Sequence, residues 1–301
     1  MIRALAKQVI MQISRLKSIF AKTASLANTP STTHPAAPTL THPVSQACTA
    51  SQFDEDAYRY WCEQIREQPR THRKQWEFCY ILQVLSLAGV LNPGRNGLGF
   101  GVGAEPLAAI FAGRGAQVVG TDLEPEEAQR SGWVETDQHA SGKDAMNDRG
   151  ICPPEQFERN VSFRFVDMNA IPGDIGTFDF CWSACAFEHL GSIRHGHEFI
   201  LNTARLLKPG GIGVHTTEFN CSSNDETLKS GSTVLFRKRD FEAMIADLQA
   251  QGFEVEVNWD LGDEALDRHI DMPPYAADNH LKLQLDRWVT TSFGLIVRRP
   301  A

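Results

Sequence analysis

Gly97-Leu98-Gly99-Phe100-Gly101-Val102-Gly103-Ala104-Glu105-Pro106-Leu107 is the stretch on which the fold turns. It stands between a short apolar run and a segment carrying Leu107, Ile110 and Phe111 at helical spacing, so it reads as strand, turn and helix. Glycines at 99, 101 and 103 let the chain turn sharply and let its backbone approach a ligand. Pro106 suits the first helical turn, where its missing N–H is not needed. Gly-Phe-Gly-Val-Gly-Ala also fits the pattern of dinucleotide-binding turns, a weak signal when taken alone.

The segments downstream strengthen it. Residues 116–122 read as a second strand ending in Asp122, 19 residues beyond Gly103. An acid at that strand end can accept hydrogen bonds from both ribose hydroxyls of an adenosine, or it can cap the next helix. Residues 161–166 form a third strand that runs into Asp167-Met168, a carboxylate beside an apolar side chain, which suits an adenine ring. Residues 178–183 read as a fourth strand. Leu207-Lys208-Pro209-Gly210-Gly211 ends a helix and leads into a fifth strand, 212–215. Strands alternating with helical stretches predict an α/β domain with a mostly parallel sheet.

In this order the motifs resemble those of the class I S-adenosylmethionine (SAM) dependent methyltransferases, over roughly residues 76–299. Gly99, Gly101 and Gly103 match that family's glycine motif, Asp122 its ribose acid, and Asp167-Met168 its adenine contact. Leu207-Lys208-Pro209-Gly210-Gly211 matches the turn before its fifth strand. The resemblance implies a Rossmann-like, doubly wound sheet of seven strands whose last, expected at 291–297, is antiparallel. It also implies SAM as cofactor, with Phe100, Leu123 and Ser183 joining the contacts named above. One position departs from the pattern: the family's usual acid, two residues before its first motif glycine, is Gly97 here. Glu105 or Glu77 could hold the methionine amine in its place. The wording of the runs around Gly101, Glu188 and His215 further resembles bacterial methyltransferases of cell-surface polysaccharide and glycolipid assembly.

The remaining chain frames this domain. Of 301 residues 42% are hydrophobic, enough for one full α/β domain with added segments. Net charge is −8, which argues against nucleic acid as a partner. Residues 1–50 carry five basic side chains and no acid, whereas the rest carry 24 basic and 37 acidic ones. Residues 1–26 are expected to form a basic amphipathic helix, with Ile2, Leu5, Val9, Ile13, Leu16 and Phe20 on one stripe. Such a helix can lie on an anionic membrane surface, dock on a partner or on its own body, or serve as a transit peptide. Residues 27–52, with four prolines in 27–50, read as a disordered linker, and the methyltransferase domain as 53–301. Within it the expected parts are N-terminal helices at 53–95, a cofactor-binding core at 96–220, and C-terminal strands with an acceptor-side segment at 221–301. Seven cysteines without a short paired spacing predict free thiols in a reducing cytoplasm, at the inner face of the membrane if residues 1–22 dock there.

Acceptor chemistry belongs at the carboxyl ends of the strands. Glu188-His189 follows the fourth strand, His215 and Glu218 close the fifth, and Asp267, His269 and His280 precede the last. A histidine can take a proton near neutral pH, so the base is expected to be His189 or His215, oriented by Glu188 or Glu218. The competing reading makes Glu188-His189 structural or cofactor-binding. No ligand spacing predicts a metal. The long connection 124–160 is either a lid over the acceptor or surface elaboration. The expected acceptor is a small polar molecule such as a sugar, methylated on O or N. A lipid acceptor, an NAD(P)-dependent oxidoreductase and a non-catalytic binding protein are the alternatives. The oligomeric state is open.

Overall fold

The computed structural model describes residues 37–126 and 142–301. The helix expected at 1–26, the first part of the linker and the middle of the 124–160 connection lie outside the described residues. Two helices open the body. α1 (Asp56–Gln64) buries Tyr58 and Trp61, and α2 (Arg73–Leu87) buries Trp76, Tyr80, Leu82, Val84 and Leu85. Both lie within the predicted helical stretch, divided by the loop 65–72 that contains Pro69.

The sheet begins earlier than the sequence implies. β1 (Ser45–Ala47) lies in the segment read as linker, and Ser45, Gln46 and Ala47 are all buried. The globular body therefore includes residues 37–52, which corrects the boundary at 53 and the expectation of disorder there. Then follow β2 (Asn96–Phe100), α3 (Leu107–Gly113), β3 (Gln117–Asp122), α4 (Pro154–Asn160), β4 (Val161–Phe165) and β5 (Phe178–Ala184). α5 (Ile193–Arg205) leads to the long β6 (Leu207–Asn220), and α6 (Lys238–Ala250) to β7 (Val257–Asn258). α7 (Ala265–Arg268), β8 (Ile270–Asp271), β9 (Lys282–Leu285) and β10 (Trp288–Arg298) complete the chain.

The spatial order is β4-β3-β2-β5-β6-β10-β1-β7, with β9 on β10 and β8 on β9. β2 to β6 are mutually parallel, and β10 runs antiparallel to β6, as expected for the last strand. β1 pairs antiparallel with β10 and parallel with β7, so a three-residue strand from the N-terminal segment stands between them. The expected seven-stranded core is present, and β1, β8 and β9 bring the total to ten.

Each face of the sheet carries its own core. One packs α1, α2 and α3 against Phe180, Trp182, Ile212, Val214 and Ile296. The other packs α5 and α6 against Leu98, Phe100, Phe293, Leu295 and Val297. Ile296 falls between Leu295 and Val297, the alternation that a strand covered on both faces requires.

Candidate functional site

The turn after β2 stands where the sequence placed it. Gly101 and Gly103 have φ of +58° and +47°, a region that side chains with a Cβ disfavour. A Cβ on Gly101 would lie 3.0 Å from Ala186 Cβ and 3.7 Å from Met168 Sδ. The turn, the adenine-side methionine and the segment after β5 therefore meet at one end of the sheet. Asp122 ends β3 with both carboxylate oxygens oriented: Gly103 N–H donates to Oδ2 at 3.1 Å, and Leu123 N–H to Oδ1 at 2.8 Å. Met168 is buried and Asp167 exposed, its Oδ1 accepting from Asn169 N–H at 2.8 Å. Turn, acid and apolar ledge are thus the groups that could hold an adenosine.

Gly97 and Gly99 owe their identity to packing. A Cβ on Gly97 would lie 2.2 Å from the Phe180 ring, and one on Gly99 equally close to Trp182. No acid can stand at 97 while Phe180 fills that space. Of the two substitutes, Glu77 is fully engaged. It accepts from Ser292 Oγ at 2.5 Å, Cys185 Sγ at 3.0 Å and Thr216 Oγ1 at 3.2 Å, with Lys74 Nζ 3.6 Å away. Glu105 has a single long contact, 3.4 Å from Trp182 Nε1, and burial pushes its carboxyl well above the usual carboxylate range.

Two expected residues belong to the core. His215 is 1% exposed, with Phe187 and Phe199 edge-on to its ring and its Nδ1 2.8 Å from Ser183 Oγ. Burial holds its pKa down at about 3, so it stays neutral and sealed from any acceptor. Ser183 is completely buried and spends its hydroxyl on that ring. Nor does Glu218 orient His215; it pairs with Arg73 and accepts from Thr290 Oγ1 at 2.7 Å.

His189 differs. Its Nδ1 lies 2.8 Å from the Ser232 carbonyl, which can only accept, so that nitrogen carries the proton. Nε2 lies 3.8 Å from Glu188 Oε1, too far for a hydrogen bond. His280 forms a close carboxylate pair, Nδ1 to Asp271 Oδ2 at 2.6 Å, and stacks on His72.

Sequence reasoning missed the contribution of α2. Its first turn brings Arg73, Lys74 and Glu77 over the ends of β5, β6 and β10, where they meet Cys185, Glu188, Glu218 and Ser292. Burial would raise the Glu218 carboxyl, but the Arg73 guanidinium more than offsets this and lowers it. At Glu188 burial outweighs the nearby His189 and Lys74 and raises the carboxyl. Cys185 sits at φ +46°, rare for a residue with a side chain, and its thiol is pushed well up by burial and so is neutral. Among the described residues, Cys185, Glu188 and Glu218 bring potential metal-ligand atoms within 4.8 Å of one another.

Comparison with known proteins agrees with this geometry. Residues 97–214 match the family model described as methyltransferase domain. Over these residues the chain is similar to a methyltransferase domain. Among solved structures, a magnesium protoporphyrin IX methyltransferase from Synechocystis PCC 6803 with bound SAH is similar at 14% identity. That match covers 83% of this chain and 97% of the other, with a TM-score of 0.43. The N-methyltransferase NodS from Bradyrhizobium japonicum WM9 is 16% identical over 73% and 94% of the two chains, TM-score 0.42. A candidate sarcosine dimethylglycine methyltransferase from Galdieria sulphuraria is 19% identical over 59% of this chain, TM-score 0.35. This chain spans 51% of that protein's length. No curated protein matches. Among the described residues no helix is long and apolar enough to cross a membrane.

Proposed function

We propose that the protein transfers the methyl group of SAM to oxygen or nitrogen of a small polar acceptor, a sugar of a surface glycan being the acceptor that its sequence wording favours. The observation that carries the reading is the convergence of Gly101, Asp122, Met168 and Ala186 at one end of the sheet, with Ala186 two residues along the chain from the buried Glu188. SAM supplies an electrophilic methyl on a sulfonium sulfur. The protein's part is alignment, exclusion of water and proton handling. The acceptor lone pair forms the new bond to carbon while the C–S bond breaks with its electrons left on sulfur, and the acceptor proton needs a base.

His189 Nε2 takes that role, in the tautomer fixed by Ser232. Glu105, steadied by Trp182, takes the methionine amine in place of the acid that Gly97 excludes. A membrane-surface role for residues 1–22 belongs to the same reading. Calorimetric titration with S-adenosylhomocysteine (SAH), alongside NAD⁺ and NADH, tests it. Micromolar binding of SAH alone is the expected result. Binding of the nicotinamides instead would make the protein an oxidoreductase, and binding of neither would remove the cofactor assignment.

A further inference from the structure

The polar cluster at the ends of β5 and β6 is buried and leaves one acceptor unsatisfied. Glu77, Glu188 and Glu218 are 0%, 1% and 6% exposed, and the cations beside them are Arg73 and Lys74. Glu218 is paired with Arg73 and held by Thr290, and Glu77 carries four contacts. Glu188 accepts from Thr217 Oγ1 on Oε2 at 2.9 Å, while its Oε1 is buried with no hydrogen-bond partner. A carboxylate oxygen left bare in the interior is costly, and native proteins rarely keep one without a reason.

The groups facing Glu188 narrow what can fill that place. Lys74 reaches it from α2, His189 from its own turn, and Glu218 from β6. One oxygen of the cluster is left without a hydrogen-bond partner. A divalent metal needs several free ligands, but the Cys185 thiol donates to Glu77 and Glu218 is occupied by Arg73. An ammonium needs one good acceptor, and Oε1 is a carboxyl oxygen without a donor. Ala186, two residues before Glu188, lies against the glycine turn, so the open oxygen belongs to the end of the sheet that holds the cofactor.

We infer that Glu188 Oε1 seats a protonated amino group of the acceptor, so that the substrate class is amine-bearing polar molecules, amino sugars among them. This rests on the methyltransferase reading and goes beyond it in choosing among acceptors.

The experiment uses the full chain with SAH or SAM and two matched pairs: glucosamine against glucose, and ethanolamine against ethylene glycol. Thermal midpoints of the SAH complex report binding, and transfer of labelled methyl from SAM reports turnover. The amine of a pair is expected to raise the midpoint, or accept methyl, where its hydroxyl partner does not. Glu188→Gln should weaken the amine's apparent affinity by about tenfold or more, with SAH affinity within about twofold of wild type. Glu105→Gln should show the reverse split. No discrimination within either pair, an amine affinity indifferent to Glu188→Gln in a variant of native circular dichroism, or one bound zinc per chain overturns the proposal. Failure of the wild type to bind SAH removes the underlying reading instead, and the proposal with it.

Discussion

Single residues decide this site through the space that they leave or fill. Gly97 shows it best, because the acid usual at its position would occupy the same volume as Phe180. Gly97→Asp should cost about 2 kcal/mol or more in denaturant unfolding, from overpacking and a buried carboxylate, and should not tighten SAH binding. A variant of wild-type stability that bound SAH more tightly would refute the packing account. His215 gives a pH signature. Its folded pKa of about 3 lies below the ordinary value of 6.5, so the unfolded chain binds the extra proton first as pH falls. Its contribution to stability is full above pH 6.5 and is lost as pH falls toward 3. Between pH 7 and pH 5 this amounts to about 2 kcal/mol, and His215→Gln should remove that part of the slope. Equal slopes for variant and wild type would mean that the ring is charged or solvated. The core position was within reach of the sequence. Side chains in a strand alternate, so His215 and Glu218, three apart, face opposite sides and cannot pair. What no pattern revealed was Arg73 and Lys74, since charges in a first helical turn look the same whether they face solvent or a strand end.

Elements show where reading by composition stops. The β2 turn, β3 and the antiparallel β10 were legible because each has a local signature: glycines at fixed spacing, an acid at a strand end, a β-branched and apolar run. β1 has none. Ser45-Gln46-Ala47 is short, without apolar alternation, and follows a proline-rich stretch; it becomes a strand because β10 and β7 offer edges to it. Gln52 locks it in place. The Gln52 Nε2 group donates to Ala47 O at 2.9 Å and Thr49 Oγ1 at 2.9 Å, while its Oε1 accepts from Gln46 Nε2 at 2.8 Å and Trp76 Nε1 at 2.8 Å. Gln52→Ala would strand several buried polar groups at once, so a loss of about 2–4 kcal/mol is expected by urea denaturation. A loss below about 0.5 kcal/mol would show that the segment contributes little. By the same argument, removal of residues 1–36 should leave the midpoint unchanged, and removal of 1–48 should lower it.

At the scale of the whole chain the charge is divided by position. Five basic side chains and no acid fall in the first 50 residues, and the remainder is acidic. An acidic surface is repelled by anionic lipid, so the proposed membrane contact is assigned to the leading sequence, which holds lysines, arginines and apolar residues and no acid. The full chain should therefore sediment with vesicles rich in phosphatidylserine or phosphatidylglycerol, and less so as salt rises from 50 to 300 mM. Residues 37–301 alone should remain in the supernatant while binding SAH as the full chain does. The salt dependence separates two ways of docking: binding that persists at high salt would place the apolar stripe in charge, and binding that vanishes would place the lysines and arginines there. Equal sedimentation of the two proteins would locate the contact in the folded body, where the exposed Ile270, Met272 and Tyr275 are the first apolar side chains to replace.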